Sequence, residues 1–221
     1  MSLYLLKIPN FTQYKYAWAE LPSNANFSDD FPRCPICGRA IGQCFWLPPH
    51  EIIIKQPRTI GDFVGGIIAT HLIVSERFKS KYEESNLTGI EKFNELTVIQ
   101  MGNGKGKEYS VPKLFGATIL IADKQVDYEK MNVKWFSQPK KAICILCCPG
   151  GGGIGGIYES YSKIAIKADS KPNSDFFIPI NFAGNIILSA KGKTFIEENK
   201  FTNVIIISAD VAKYDMFQGD Q

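Results

Sequence analysis

The feature that most constrains the fold of this chain is that its 221 residues contain one order of features twice. Each half has a Cys-x-x-Cys pair, an Asp-Phe step, an apolar run ending in Ser, a charged segment and a second apolar run. The order is kept as well as the chemistry, which favours an internal duplication over chance similarity of two strand-helix-strand segments. Two copies are too few for a solenoid. We therefore expect two similar lobes, about 1–110 and 111–221.

The two halves align at a nearly constant spacing. Ser75 and Ser189, each at the end of an apolar run, lie 114 positions apart, and Asp62 and Asp175 lie 113 apart. Single-residue slips between blocks are what insertions in loops produce, because loops tolerate changes of length. Three further pairs share the spacing of the serines: Leu87 and Phe201, Thr88 and Thr202, and Ile90 and Val204.

Each half has a readable local structure. Ile52–Ile54 and 204–207 are short β-branched runs that are typical of strands. Ser75 and Ser189 are suited to cap a helix, because a serine hydroxyl accepts hydrogen bonds from the first free amides. We predict a strand-rich α+β fold of two pseudo-repeated β-α-β lobes with about one main helix per half. The whole chain, 1–221, is expected to be a single compact unit, because no Pro/Ser-rich linker separates the copies.

Charge and hydropathy narrow the class of protein. The net charge of +3 is balanced between the halves, so the basic stripe of a nucleic-acid binder is missing and nucleic acid is an unlikely partner. The apolar start of the chain is too short for a signal peptide, and no run approaches the length of a membrane span. We expect a cytoplasmic protein without membrane association, in which cysteines stay reduced.

The cysteines predict a structural zinc site. Cys34, Cys37, Cys144 and Cys147 form two Cys-x-x-Cys pairs, and four thiolates complete a tetrahedral zinc site with no open catalytic position. A shared Zn²⁺ would join the halves as a zinc-knuckle pair, with Gly38 in the positive-φ conformation that such a turn uses.

Other ligand sets remain open. Cys34 and Cys37 could instead find local partners in Cys44 and His50, and Cys148, which replaces the glycine of the first motif, is an alternative ligand in the second. The cysteines could also bind no metal and pack as small apolar residues.

No catalytic constellation is legible, so we expect that the protein is not an enzyme. The glycine-rich loop 150–156 formally fits a dinucleotide fingerprint, but the flanking residues do not predict the strand and helix that this motif needs. A nucleotide-binding enzyme that uses this loop is the weakest alternative. Asp62 and Asp175 could be paired catalytic carboxylates, although a cap or turn role fits repeated residues better.

The chain resembles the double-CXXCG motif family, a paralogous group first noticed in myxobacteria. The resemblance rests on the segment 34–39, on Cys144 and Cys147, and on the Asp-Phe step and Ser-containing helix of each half. That family includes immunity proteins encoded beside toxins that are delivered between neighbouring cells. The resemblance implies a cytoplasmic immunity protein that binds and neutralises a cognate toxin. A zinc-ribbon nucleic-acid binder is the alternative.

Specificity for a toxin would lie in surface charges and exposed aromatic side chains. Trp46, Trp135 and Phe136 are candidate contact residues near the two cysteine pairs. Core packing is the favoured role for all three, because large aromatic residues are mostly buried.

Overall fold

The computed structural model describes residues 2–9, 15–38, 41, 45–55, 59–66, 71–102, 112–123, 125–135, 158–167, 173–182 and 184–215. This part of the chain forms fourteen strands and two helices. The fold is therefore strand-rich and α+β, and each half of the sequence has one helix among its described residues. Within the described ranges, no helix is both long and apolar enough to cross a bilayer.

Six strands from the first part of the chain close into a barrel. Each strand contributes at least one buried apolar side chain to the interior, including Ala19, Ile52 and Ile73, so the barrel is packed and is not a channel. The strands, in their order around the barrel, are β2 (Trp18–Glu20), β3 (Glu51–Ile54), β6 (Ile90–Met101), β7 (Leu114–Ile119), β5 (His71–Ser75) and β4 (Phe63–Gly66).

The second large sheet has five strands, and the first strand of the chain lies inside it. Strand β1 is antiparallel to both of its neighbours, β12 and β13, although they come from the other end of the sequence. The order across the sheet is β13 (Ile205–Ser208), β1 (Leu3–Lys7), β12 (Ile186–Ser189), β11 (Phe176–Pro179) and β8 (Ile121–Ala122). A small third sheet has the order β14 (Tyr214–Asp215), β10 (Tyr158–Tyr161) and β9 (Lys134–Trp135).

The two helices begin at the predicted serines. In α1 (Glu76–Glu83) the Ser75 hydroxyl accepts the Phe78 N–H at 3.1 Å, and in α2 (Ala190–Glu198) the Ser189 hydroxyl accepts the Gly192 N–H at 3.1 Å. Both serines have extended backbone dihedrals, as an N-cap residue requires. The N-cap predictions are confirmed.

Both halves of the chain supply one central apolar cluster. On the five-stranded sheet, Leu6 and Leu188 face this cluster, while Leu5 and Ile187 point to a separate cluster on the opposite face, because successive strand residues alternate. The fully assembled central cluster consists of Leu6, Phe63, Leu72, Val74, Phe78, Tyr82, Leu87, Phe115, Ala117, Ile119, Phe176, Ile178, Leu188, Ile196 and Phe201.

A buried carboxylate joins the first helix to the end of the second half. The Asp62 carboxylate accepts the Ser75 hydroxyl at 2.8 Å and, at 2.9 Å, both the N–H and the hydroxyl of Thr202. It also accepts the guanidinium of Arg77 at 2.7 Å. Asp62 thus holds the N-cap of its own half and a threonine 140 positions away.

Asp175 makes the corresponding contacts in the opposite direction. Its carboxylate accepts the Ser189 hydroxyl at 2.6 Å, the N–H of Thr88 at 3.1 Å and the Thr88 hydroxyl at 3.3 Å. Each aspartate therefore orients the N-cap serine of its own half and binds the threonine that follows the helix of the other half. These contacts agree with the cap and turn role that repetition favoured.

The hydrogen bonds of Asp62 also set its protonation. Burial raises the pKa of this carboxyl, but the bonds from Thr202, Ser75 and Arg77 outweigh burial and leave the pKa below its ordinary value of 3.8. A carboxyl with a lower pKa in the folded state stabilises the fold above its unfolded pKa. That contribution is lost as the pH falls through the folded pKa.

We predict that Asp62→Asn lowers the free energy of unfolding by about 1–3 kcal/mol near pH 6, because several buried donors lose a charged acceptor. The difference from wild type should begin to shrink as the pH falls below about 4, where the unfolded wild-type chain takes up the proton, and should vanish below the lower folded pKa. Urea unfolding followed by circular dichroism at pH 6 and pH 3 measures both effects. Asp123→Asn, at an exposed carboxylate, is the control; an equal loss at both pH values for Asp62→Asn would contradict the assignment.

A second prediction concerns the close approach of the halves at Gly89. This residue has φ +106°, and a Cβ built on it would lie 1.8 Å from the carbonyl oxygen of Phe176. Gly89→Ala should cost about 2–5 kcal/mol, the sum of left-handed strain and overpacking. Gly184→Ala, at φ +81° with no heavy atom of the described residues within 4 Å of the new Cβ, is the matched control and should cost only about 1–2 kcal/mol. Equal thermal shifts in the two variants would disprove the contact.

Candidate metal centre

The first cysteine pair lies at the end of an irregular hairpin that precedes β3, the second barrel strand in the sequence. Backbone hydrogen bonds join the two arms: Ser28 N–H donates to the Phe45 carbonyl at 2.9 Å, and Ile41 N–H donates to the Pro32 carbonyl at 2.9 Å. Residues 35–37 form the turn that follows the first arm. This hairpin, residues 26–47, is called the knuckle hairpin below; it is described except for 39–40 and 42–44.

The turn between the cysteines has the backbone that the sequence predicts. Gly38 donates its N–H to the Cys34 carbonyl at 2.9 Å, and it has φ +69°. Among the described residues, no heavy atom lies within 4 Å of a Cβ built on Gly38, and its positive φ favours glycine. The expectation that Gly38 takes a positive φ is confirmed.

The side chain of Arg33 also stabilises the closed turn. The Arg33 guanidinium donates to the Gly38 carbonyl at 3.1 Å and lies 4.3 Å from the centroid of the Phe31 ring. Arg33 therefore contributes to the shape of the turn.

The two cysteines of the turn have different surroundings. Cys34 is only 2% exposed and packs against Ile180, with Ile41 and Ile121 alongside, whereas Cys37 is exposed. Ile121 belongs to β8, and Ile180 directly follows β11. The buried side of the turn thus packs against β8 and the end of β11, the parallel pair at one edge of the five-stranded sheet. Both strands belong to the second half of the chain.

The other predicted cysteine ligands are not tested by the described residues. Cys144 and Cys147 lie outside the described residues, as do the alternative ligands Cys44 and Cys148 and the glycine-rich loop 150–156. Within the described residues, no group of three or more His, Cys, Asp or Glu side chains is placed to hold a metal ion. The four-cysteine site stays a prediction.

His50 lies at the base of the knuckle hairpin. Its Nε2 is 3.1 Å from the Trp46 carbonyl oxygen, and its ring meets the Trp46 indole edge to face at 5.2 Å. These contacts engage one ring nitrogen of His50 and fix the orientation of the ring.

Two of the three aromatic candidates for toxin contact, Trp46 and Trp135, lie within the described residues. Trp46 is buried in the barrel interior, and Trp135 is half-buried with its ring 5.3 Å from that of Tyr128. Phe136 lies outside the described residues. Core packing, the favoured role for Trp46, is confirmed.

Sequence reasoning missed the exposed apolar side chains of the knuckle hairpin. Ile36 is 58% exposed and Phe45 is 47% exposed, and Phe27, which bridges to Trp46, is also at the surface. Neighbouring residues on an extended arm point to opposite sides, so the burial of Trp46 dictates the exposure of Phe45. The adjacent pair Phe45-Trp46 could therefore have predicted this exposure, because one of two neighbouring residues on an extended arm faces inward and the other outward.

Compared with the models of known protein families and with curated protein sequences, the chain has no match. The resemblance to the double-CXXCG family rests on the motif residues themselves.

Proposed function

We propose that the protein is an immunity protein that binds and neutralises a cognate toxin domain, and that a structural Zn²⁺ stiffens its binding surface. The observation that carries this proposal is the turn 34–38, in which the Cys34-x-x-Cys37 segment has a backbone closed by the N–H of Gly38 at positive φ. This arrangement occurs at the segment on which the resemblance to the double-CXXCG family rests.

The proposed zinc site would take two of its four ligands from this turn. Cys34 and Cys37 are separated by two residues on one turn, the spacing at which two thiolates can bind one zinc ion. Cys144 and Cys147 are the proposed second pair. Zinc bound by all four thiolates would hold the knuckle hairpin to the second half of the chain, adding to the contact between Cys34 and Ile180.

The exposed apolar side chains next to the turn support a role in protein binding. Phe45, Ile36 and Phe27 belong to one hairpin, and they are among the most exposed large apolar residues in the described ranges. Aromatic side chains at the surface are typical anchors of a protein interface, and a stiff hairpin loses little entropy when it is bound. Neutralisation by occlusion requires this kind of surface and no chemistry of its own.

We also propose that the two halves are copies of one repeated unit. The reciprocal contacts support it: Asp62 binds Thr202 as Asp175 binds Thr88, and each aspartate also binds its own N-cap serine. Residues at aligned positions thus make the same hydrogen bonds in both halves, which chance similarity of sequence does not explain.

A further aligned pair supports the duplication. Gly89 and Asn203 lie 114 positions apart, and both have positive φ values, +106° and +60°. Gly89 approaches the backbone of Phe176, and Asn203 donates its side-chain amide to the Phe63 carbonyl at 2.8 Å. Phe63 and Phe176 are themselves an aligned pair, each directly after its aspartate.

The zinc proposal predicts one Zn²⁺ per purified chain. Cys34→Ser and Cys144→Ser should each reduce the zinc content by at least about tenfold, because a structural site needs all four ligands. Inductively coupled plasma mass spectrometry on protein purified without added metal measures this. Cys148→Ser is the matched control, because it changes a neighbouring cysteine and should keep the zinc.

The two mutants separate the competing ligand sets. Zinc retained in Cys144→Ser but lost in Cys34→Ser would replace the shared site by a local one that uses Cys44 or His50. A wild-type chain without zinc would remove the metal from the proposal and leave the binding function to be tested by itself.

The binding proposal predicts a one-to-one complex with the toxin domain encoded by the neighbouring gene. Phe45→Ser should raise the Kd at least about tenfold, because it removes an aromatic anchor. Ile99→Ser is the control, because Ile99 has the same 47% exposure but lies on β6, outside the knuckle hairpin. Isothermal titration calorimetry measures both constants, and growth of cells expressing the toxin domain reports neutralisation.

Two outcomes would overturn this proposal. Binding weakened equally by Phe45→Ser and Ile99→Ser would move the contact away from the knuckle hairpin. A wild-type chain that fails to bind the toxin domain but binds nucleic acid, with affinity falling steeply as salt rises, would favour the zinc-ribbon alternative.

A further inference from the structure

The barrel and the five-stranded sheet contain the same arrangement of strands. In the barrel, the order β4-β5-β7-β6 is antiparallel throughout, and β2 lies parallel to β4 on the side away from β5. In the sheet, the order β11-β12-β1-β13 is antiparallel throughout, and β8 lies parallel to β11 on the outside. Five strands in one correspond to five strands in the other, with the same directions.

The register of the corresponding strands is also the same. Leu114, the first residue of β7, is opposite the N-cap Ser75, and Leu3, the first residue of β1, is opposite the N-cap Ser189. Because one residue of slippage would turn every side chain to the other face, a shared register is a specific property. β7 and β1 therefore take equivalent positions between their neighbours.

The origin of these two strands is exchanged between the halves. The barrel is built from the first half of the chain except for β7, which follows position 111. The sheet is built from the second half except for β1, at the start of the first half. Each half therefore contributes its own first strand to the sheet of the other half.

We infer that the protein is an intramolecular strand-exchanged dimer. The two repeats of one chain take the place of two subunits, and each repeat packs against the other. This inference rests on the proposed duplication, but not on zinc or on toxin binding. The central apolar cluster is then the dimer interface. It is lined by equivalent residues of both repeats, such as Phe63 with Phe176 and Val74 with Leu188.

Connectivity explains why the strands exchange. β6 and β7 are consecutive strands of the chain, and β7 is the antiparallel neighbour of β6 over Ile90–Leu96. This local pairing takes β7 into the first repeat and leaves a gap between β12 and β13 in the second. A gap in the middle of a sheet leaves backbone donors and acceptors unpaired on two strands, and β1 fills it with Leu5 and Leu6 buried on opposite faces.

The exchange can be tested in the full-length chain with paired cysteines. Lys7 is opposite Ile205, and Thr118 is opposite Lys92. Directly opposed residues of antiparallel strands have Cα separations that a disulfide can span. The same four positions, paired crosswise as 7 with 92 and 118 with 205, report the unexchanged arrangement and serve as matched controls.

We expect Lys7→Cys/Ile205→Cys and Thr118→Cys/Lys92→Cys to form their disulfides at least about tenfold more than the crossed pairs under mild oxidation. Peptide mapping by mass spectrometry identifies each bond and separates it from bonds to the native cysteines. Crossed pairs that form as much disulfide as the expected ones, or more, would overturn the exchange.

A second set of cysteine pairs provides the test if the Lys7 variant does not fold. Tyr4 is opposite Ser208, and its crossed partner is Glu95, which is opposite Phe115 in the barrel. Tyr4→Cys/Ser208→Cys should form the disulfide and Tyr4→Cys/Glu95→Cys should not. These bonds do not depend on metal content or on toxin binding, so their failure would refute the exchange and leave the proposed function standing.

Discussion

The described fold depends on the reciprocal hydrogen bonds between the two aspartates and the threonines of the opposite halves. A carboxylate that is 8% exposed, as in Asp62, is costly unless its charge is satisfied. Asp62 is satisfied only when the N-cap Ser75 and the distant Thr202 are both in place. The Asp62 carboxylate therefore fixes both the start of α1 in the first half and the segment that leads into β13 in the second half.

Packing follows from this constraint. With the two helices held against the opposite halves, their apolar faces meet in the central cluster. There the ring of Phe78 lies within 5.0–6.3 Å of the rings of Phe63, Phe176 and Phe201, in tilted or edge-to-face contact. Arg77 adds a polar tie on the outside, since it donates both to Asp62 and to the carbonyl of Asn199 at the end of α2. Polar and apolar contacts thus align the same two helices.

The sequence predicts the local elements and not the long-range pairing. Ser75 and Ser189 cap helices as expected, because capping depends on neighbouring residues only. The recurrence of aspartate was visible, but its threonine partner is 140 positions away and no periodicity encodes that distance. The place of β1 between β12 and β13 was unpredictable for the same reason. At the candidate site, the sequence predicted the Gly38 turn, whereas the burial of Cys34 depends on Ile180 from the other half.

This dependence on the second half also bears on what a zinc ion would add. The inner side of the knuckle turn is already seated on Ile180 and Ile121, while Cys37 and Ile36 are exposed. Apolar contact at Cys34 fixes the position of the turn but leaves its outer side to be held by the backbone bond of Gly38 and by Arg33. A metal bond is short and directional, so it would restrain the rotation of the turn about that apolar contact. In this arrangement zinc would determine the orientation of Phe45 and Ile36 at the surface rather than the stability of the central cluster.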